Sequence, residues 1–275
     1  MTPIYPIKII CEEKYTEILL SDLKKLFQLV TFGEDSYNIT HFEYKIPDNE
    51  ELKHLKNRYH INMVAFTDWS VDESKQNLYF TEDYFLINNE IARISYFFHE
   101  ICHYHTYSFV TDCNKINKEK IKIRAEKNKK VNQSLVYYPD KFSYLLSIYN
   151  EILADEVMIS IKSDLYLTKL NFNRKYAEDG IESLHYFWDK FILLLDILRN
   201  IELLKKMETH QSEIKKLLIV TEKIYSILQE DSLEFKERVN VLMEYKDKFI
   251  ENYFLKDVNA VIKLFYEFID AFIHA

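Results

Sequence analysis

The sequence predicts an α+β chain, predominantly helical, with a small sheet in the first third and helices after it. Alternating stretches rich in aromatic and β-branched residues occur before residue 89, and helical apolar spacing dominates beyond it. Hydrophobic residues make up 48% of the 275 positions, enough to build a real core.

The elements follow in order. "KYTEILLSDLKKLFQLV" (14–30) has helical apolar spacing and predicts the first helix. "SYNITHFEYKI" (36–46), "INMVAFTDWSV" (61–71) and "NLYFTEDYFLIN" (77–88) predict three strands, the last two a hairpin across "DESKQ". "DNEELKHLKNRY", between the first two strands, predicts a short helix capped by Asp48 or Asn49. Asn89 caps a helix running to about residue 109, with Glu90 near the positive end of its dipole. The basic segment "NKINKEKIKIRAEKNKK" (114–130) has no aromatic residue among its charges. It therefore reads as a solvated insertion rather than a nucleic-acid patch. Another helix starts after "YPD" (138–140) and runs to about 165. Four more, at roughly 181–208, 210–230, 232–255 and 257–273, form a C-terminal bundle. The domains expected are thus 1–165 and 166–275.

Composition excludes several functions. A net charge of -8 argues against nucleic acid as a partner. With two glycines in the chain, no glycine-rich phosphate loop can form. Three cysteines (Cys11, Cys102, Cys113) make no disulfide framework and fit a reducing compartment. The N-terminus carries prolines and early charges where a signal peptide needs an apolar helix. "FILLLDIL" (191–198) is broken by Asp196 before it approaches a membrane span. The expectation is a soluble cytoplasmic protein, or one delivered by a route that uses no classical signal.

Chemistry concentrates in "YFFHEICHYH" (96–105). On a helical wheel His99 and His103 lie about 40° apart and one turn apart, so both imidazoles reach one ion. Glu100 sits beside them, which completes the H-E-x-x-H pattern of two zinc-binding histidines and a general base. Ile91, Ile94, Phe98 and Ile101 form an apolar stripe nearly opposite the two histidines. His105 lies about 160° from His103 and reads as a packing histidine, and Cys102 likewise reads as packing. A catalytic zinc takes three protein ligands and keeps one position open. Forty-eight residues after His103 comes Glu151, in "NEILAD" (150–155). Its carboxylate is the candidate third ligand. Asp155 is the candidate acceptor for the second N–H of a ligand histidine. Glu156, rotated about 140° from Glu151, is the weaker candidate.

"HEICH" followed by "NEILAD" resembles the zincin metallopeptidases of the gluzincin branch. The lead-in "FLINNEIARISYFFHEICHYH" is similar to that of ImmA/IrrE-type intracellular peptidases. The resemblance covers about residues 60–165 and departs at Cys102, where many relatives have glycine, and in the long basic insertion. It implies a zincin-like domain over 1–165 and a helical subdomain over 166–275. It also implies that His99, His103 and Glu151 hold Zn²⁺, that the ion lowers the pKa of a bound water, and that Glu100 takes a proton from that water and passes it to the leaving amine. Tyr166, Tyr176 and His185 are candidate oxyanion donors. By analogy, a protein or peptide substrate lies along an edge strand, most simply 77–88. The resulting expectation is a zinc endopeptidase acting on an intracellular protein. The alternative is a non-catalytic zincin-fold protein that keeps the metal and binds a partner. Against it stands Glu100, which a purely structural site does not need.

Overall fold

The computed structural model describes residues 5–30, 37–44, 64–68, 76–103, 139–181, 187–207 and 210–275. The fold is α+β and predominantly helical. Expectations for the 48–59 helix, the 114–130 segment, Cys113 and His105 lie outside the described residues.

The chain forms two compact units, Met1–Val110 with Leu153–Phe172, and Thr111–Ile152 with Asn173–Ala275. The units interleave along the sequence.

In the first unit, strand β1 (Tyr5–Cys11) leads through a 3₁₀ turn (Glu13–Tyr15) into helix α1 (Thr16–Leu29). Strands β2 (Tyr37–Tyr44), β3 (Ala65–Asp68) and β4 (Gln76–Phe80) complete a four-stranded sheet of order β2-β1-β4-β3. β1 is parallel to both its neighbours, and β3 runs antiparallel to β4 in the expected hairpin pairing. Sequence reading missed β1, because prolines punctuate its start. Pairing with β4 begins only at Ile7, after Pro6, so the missing N–H falls where only β2 adjoins and no inner ladder is broken. β4 is buried at all five positions, as suits a strand covered on both faces. It is also paired on both sides, so it is not the substrate edge expected at 77–88. Among the described residues β3 ends the sheet on that side.

The predicted third strand stops at Phe80. Thr81 opens a short helix, α2 (Glu82–Leu86), whose first turn holds Glu82 and Asp83 in the place the helix dipole favours. Helix α3 (Glu90–Cys102) then starts at Asn89, whose side chain accepts from the Ala92 N–H at 3.1 Å. α3 is central: Ala92 and every residue from Ile94 to Cys102 are buried, while Ile91 is exposed. A bidentate ion pair ties it to α1. Asp22 accepts from Arg93 Nε at 2.8 Å and Nη2 at 3.0 Å, and from the Tyr84 hydroxyl at 3.0 Å. Burial pushes the Cys11 thiol up to about 11.

Helix α4 (Pro139–Gly180) is not one rod, because Lys162 leaves helical geometry at φ -153, ψ 82. In a straight helix residues 155 and 169 would stand about 21 Å apart. Instead Lys169 Nζ donates to Asp155 Oδ1 at 2.5 Å, so the chain folds back at Lys162 into a helical hairpin. Sequence reading ended this helix near 165 and left the returning half, which carries Lys169, unassigned.

The second unit contains α5 (Phe187–Lys206), α6 (Gln211–Leu255) and α7 (Val258–His274), with α6 packed against both others. The predicted break near 231 is absent, and α6 is a single helix of 45 residues. No proline or glycine stands there, and the low helix propensity of Asp231 and Ser232 costs only some tenths of a kcal/mol. Phe191, Phe249, Tyr253, Phe265 and Phe268 fill the core of this unit. The Tyr253 hydroxyl donates to the Leu145 carbonyl, tying α6 to the first turns of α4. Asp257 caps α7 by accepting from the Asn259 and Ala260 N–H groups. No helix among the described residues is long and apolar enough to cross a membrane.

Candidate metal centre

The last turn of α3 carries His99 and Glu100, and His103 is its C-cap. All three are buried, at 3%, 6% and 3% exposure. One turn of helix brings the two imidazoles together edge to face, with ring planes at 78° and their Nε2 atoms 3.2 Å apart. Ligand atoms of His99, Glu100 and His103 all lie within 4.8 Å of one another. The spacing suits zinc, since two Zn–N bonds of roughly 2.05 Å at a tetrahedral angle place their nitrogens about 3.3 Å apart.

The far side of His99 is braced by the α4 hairpin. Its Nδ1 is 2.9 Å from Asp155 Oδ1, and Asp155 is fully buried. A carboxylate at Nδ1 favours the tautomer with the proton there, leaving the Nε2 lone pair for a cation. Lys169 Nζ donates to the same Oδ1 and stands 2.8 Å from Nδ1; an ammonium only donates, so it opposes the proton on Nδ1 that the carboxylate favours. Tyr96 of α3 meets Phe172 of the hairpin edge to face, an apolar contact on the same interface.

The sheet braces Glu100. Thr67 Oγ1 on β3 lies 2.9 Å from Glu100 Oε2, and Gln76 Nε2 on β4 donates to the Glu100 carbonyl at 2.6 Å. The carboxylate thus lies between the strand pair and the imidazole nitrogens. Sequence reading named neither Thr67, Gln76 nor Lys169. Lys169 did leave a trace: it stands three and four residues from Tyr166 and Leu165 and next to Leu170, all buried, so a cation occupies a core position of the helix.

Cys102 is buried, and burial first, then the Asp155 charge, raises its thiol well above the ordinary value. Its sulfur is not among the ligand atoms that gather with those of His99, Glu100 and His103. Glu151 belongs to the second unit, where its Oε2 stands 4.0 Å from Arg199 Nη2. Of the candidate oxyanion donors, Tyr166 is fully buried. Tyr176 is part of α4, but its side chain lies outside the described residues, and so does His185.

Asp155→Asn tests the brace directly. Zinc affinity, measured against a competing chromophoric chelator, is expected to fall by about 10- to 100-fold. An unchanged affinity would mean that Asp155 does not set the His99 tautomer.

No protein-family model matches this chain, and neither the curated proteins nor the solved structures include a match to it.

Proposed function

We propose that the protein is a zinc-dependent metallopeptidase that hydrolyses peptide bonds of a protein substrate. The observation that carries this reading is the convergence of the two Nε2 atoms to 3.2 Å, with the Glu100 carboxylate within 4.8 Å and Asp155 behind His99. Zinc at such a donor set supplies an activated water and polarises the scissile carbonyl. His99 and His103 offer the two nitrogens. Glu100 accepts the proton of the attacking water and returns it to the leaving amine. Asp155 keeps the His99 proton on Nδ1. The third ligand we assign to Glu151, because it stands four residues before Asp155 in "NEILAD". Free, buried Cys11 and Cys102 favour a reducing compartment, so we place the activity in the cytoplasm.

The test is metal content followed by ligand substitution. Purified protein is expected to carry one zinc per chain and to cleave a mixture of internally quenched peptides, with a chelator abolishing cleavage. Glu151→Ala is expected to lower zinc occupancy strongly while Glu156→Ala leaves it unchanged. The reverse pattern reassigns the third ligand, and a protein without stoichiometric zinc refutes the reading.

A further inference from the structure

Thr67 lies on β3, in register with Leu78 of β4, so the sheet fixes its position. Its hydroxyl is 2.9 Å from Glu100 Oε2 and 3.1 Å from the Glu100 backbone carbonyl. A hydroxyl has one proton to donate. The carbonyl already receives a hydrogen bond of 2.6 Å from Gln76, and a bond to a carboxylate is about twice as strong as one to a neutral acceptor. The Thr67 proton therefore goes to Oε2. Gln76 Nε2 also stands 3.5 Å from Thr67 Oγ1, a weak contact on the oxygen that leaves this proton free.

We propose that Thr67 is a positioning residue for Glu100. It holds one carboxylate oxygen against the sheet, so that the carboxylate stays beside the histidine nitrogens. The inference rests on the reading of Glu100 as the base. Glu100 follows His99 directly and so leaves the helix about 100° round from it. Without a hold, its flexible side chain would have to be ordered at each turnover, at a cost in rotamer freedom. The strand supplies that order in advance, as a site built on rigid elements requires.

Three substitutions in the full chain test this: Thr67→Val, which keeps the β-branched strand residue, Thr67→Ala, and Thr67→Ser, which keeps the hydroxyl. Two readouts are taken, cleavage of internally quenched peptides and binding of acetohydroxamate to the Co²⁺-loaded protein, followed by visible absorption. Acetohydroxamate chelates the metal and needs a carboxylate beside it to accept its proton. Thr67→Val and Thr67→Ala are expected to lower kcat about tenfold with KM little changed, and to weaken hydroxamate binding by a similar factor. Thr67→Ser restores both. In a Glu100→Gln background Thr67→Val adds no further loss, because its effect runs through the carboxylate. Wild-type hydroxamate affinity in Thr67→Val, or the same loss with and without Glu100, overturns the inference while leaving the metal site standing. A wild-type chain that takes up no stoichiometric metal overturns both.

Discussion

Glu100→Gln is expected to leave zinc bound at one per chain and to lower peptide cleavage about a thousandfold, or roughly 4 kcal/mol of transition-state stabilisation. The amide keeps the shape of the side chain and can still accept from Thr67, so packing against β3 is retained. It cannot take up a proton at neutral pH. Elemental analysis and cleavage of quenched peptides read the two effects separately. Retained cleavage would remove Glu100 from the mechanism, and loss of zinc would make it a ligand instead. The same pair of proteins identifies the substrate: new N-termini produced by wild type and absent with the variant mark its cleavage sites.

Asp22→Ala is expected to destabilise the first unit by about 3–5 kcal/mol, measured by urea unfolding followed by circular dichroism. Asp22 is fully buried and accepts three hydrogen bonds, two from Arg93 and one from Tyr84. Truncation leaves a guanidinium, with a side chain 14% exposed, and a buried hydroxyl without their acceptor. Tyr84→Phe removes only one neutral donor and is expected to cost about 1 kcal/mol. A loss below that value for Asp22→Ala would show that the network is not what holds α1 to α3. Burial, and after it the Asp22 charge, raises the Tyr84 phenol well above its ordinary value. The fold thus disfavours the phenolate. The Tyr84 part of the network is whole below about pH 10 and is lost as pH rises from there through the raised folded value.

Helix α3 was legible in the sequence because its pattern is local. His99, Glu100 and His103 sit within five residues, and the 3.6-residue period places the imidazoles together whatever the rest of the chain does. Asn89 as the cap was legible for the same reason, since a cap bonds an N–H three residues on. The hairpin pairing of β3 with β4 followed from alternation and a short connection. Strand β1 was not legible. Its role depends on two parallel neighbours far away in the chain, and prolines masked its pattern. The fold-back at Lys162 and the continuity of α6 through 231 were missed because propensities of some tenths of a kcal/mol do not decide either, while packing does.

What the sequence by itself determined is the α+β class, the position of helix α3, and the His99, Glu100 and His103 side chains that gather at its end. Only the tertiary structure decided what surrounds them. The hairpin brings Asp155 and Lys169 to His99 from 56 and 70 positions along the chain, and the sheet brings Thr67 and Gln76 to Glu100. Such contacts follow no helical or strand period, because they join elements whose distance in sequence says nothing about their distance in space.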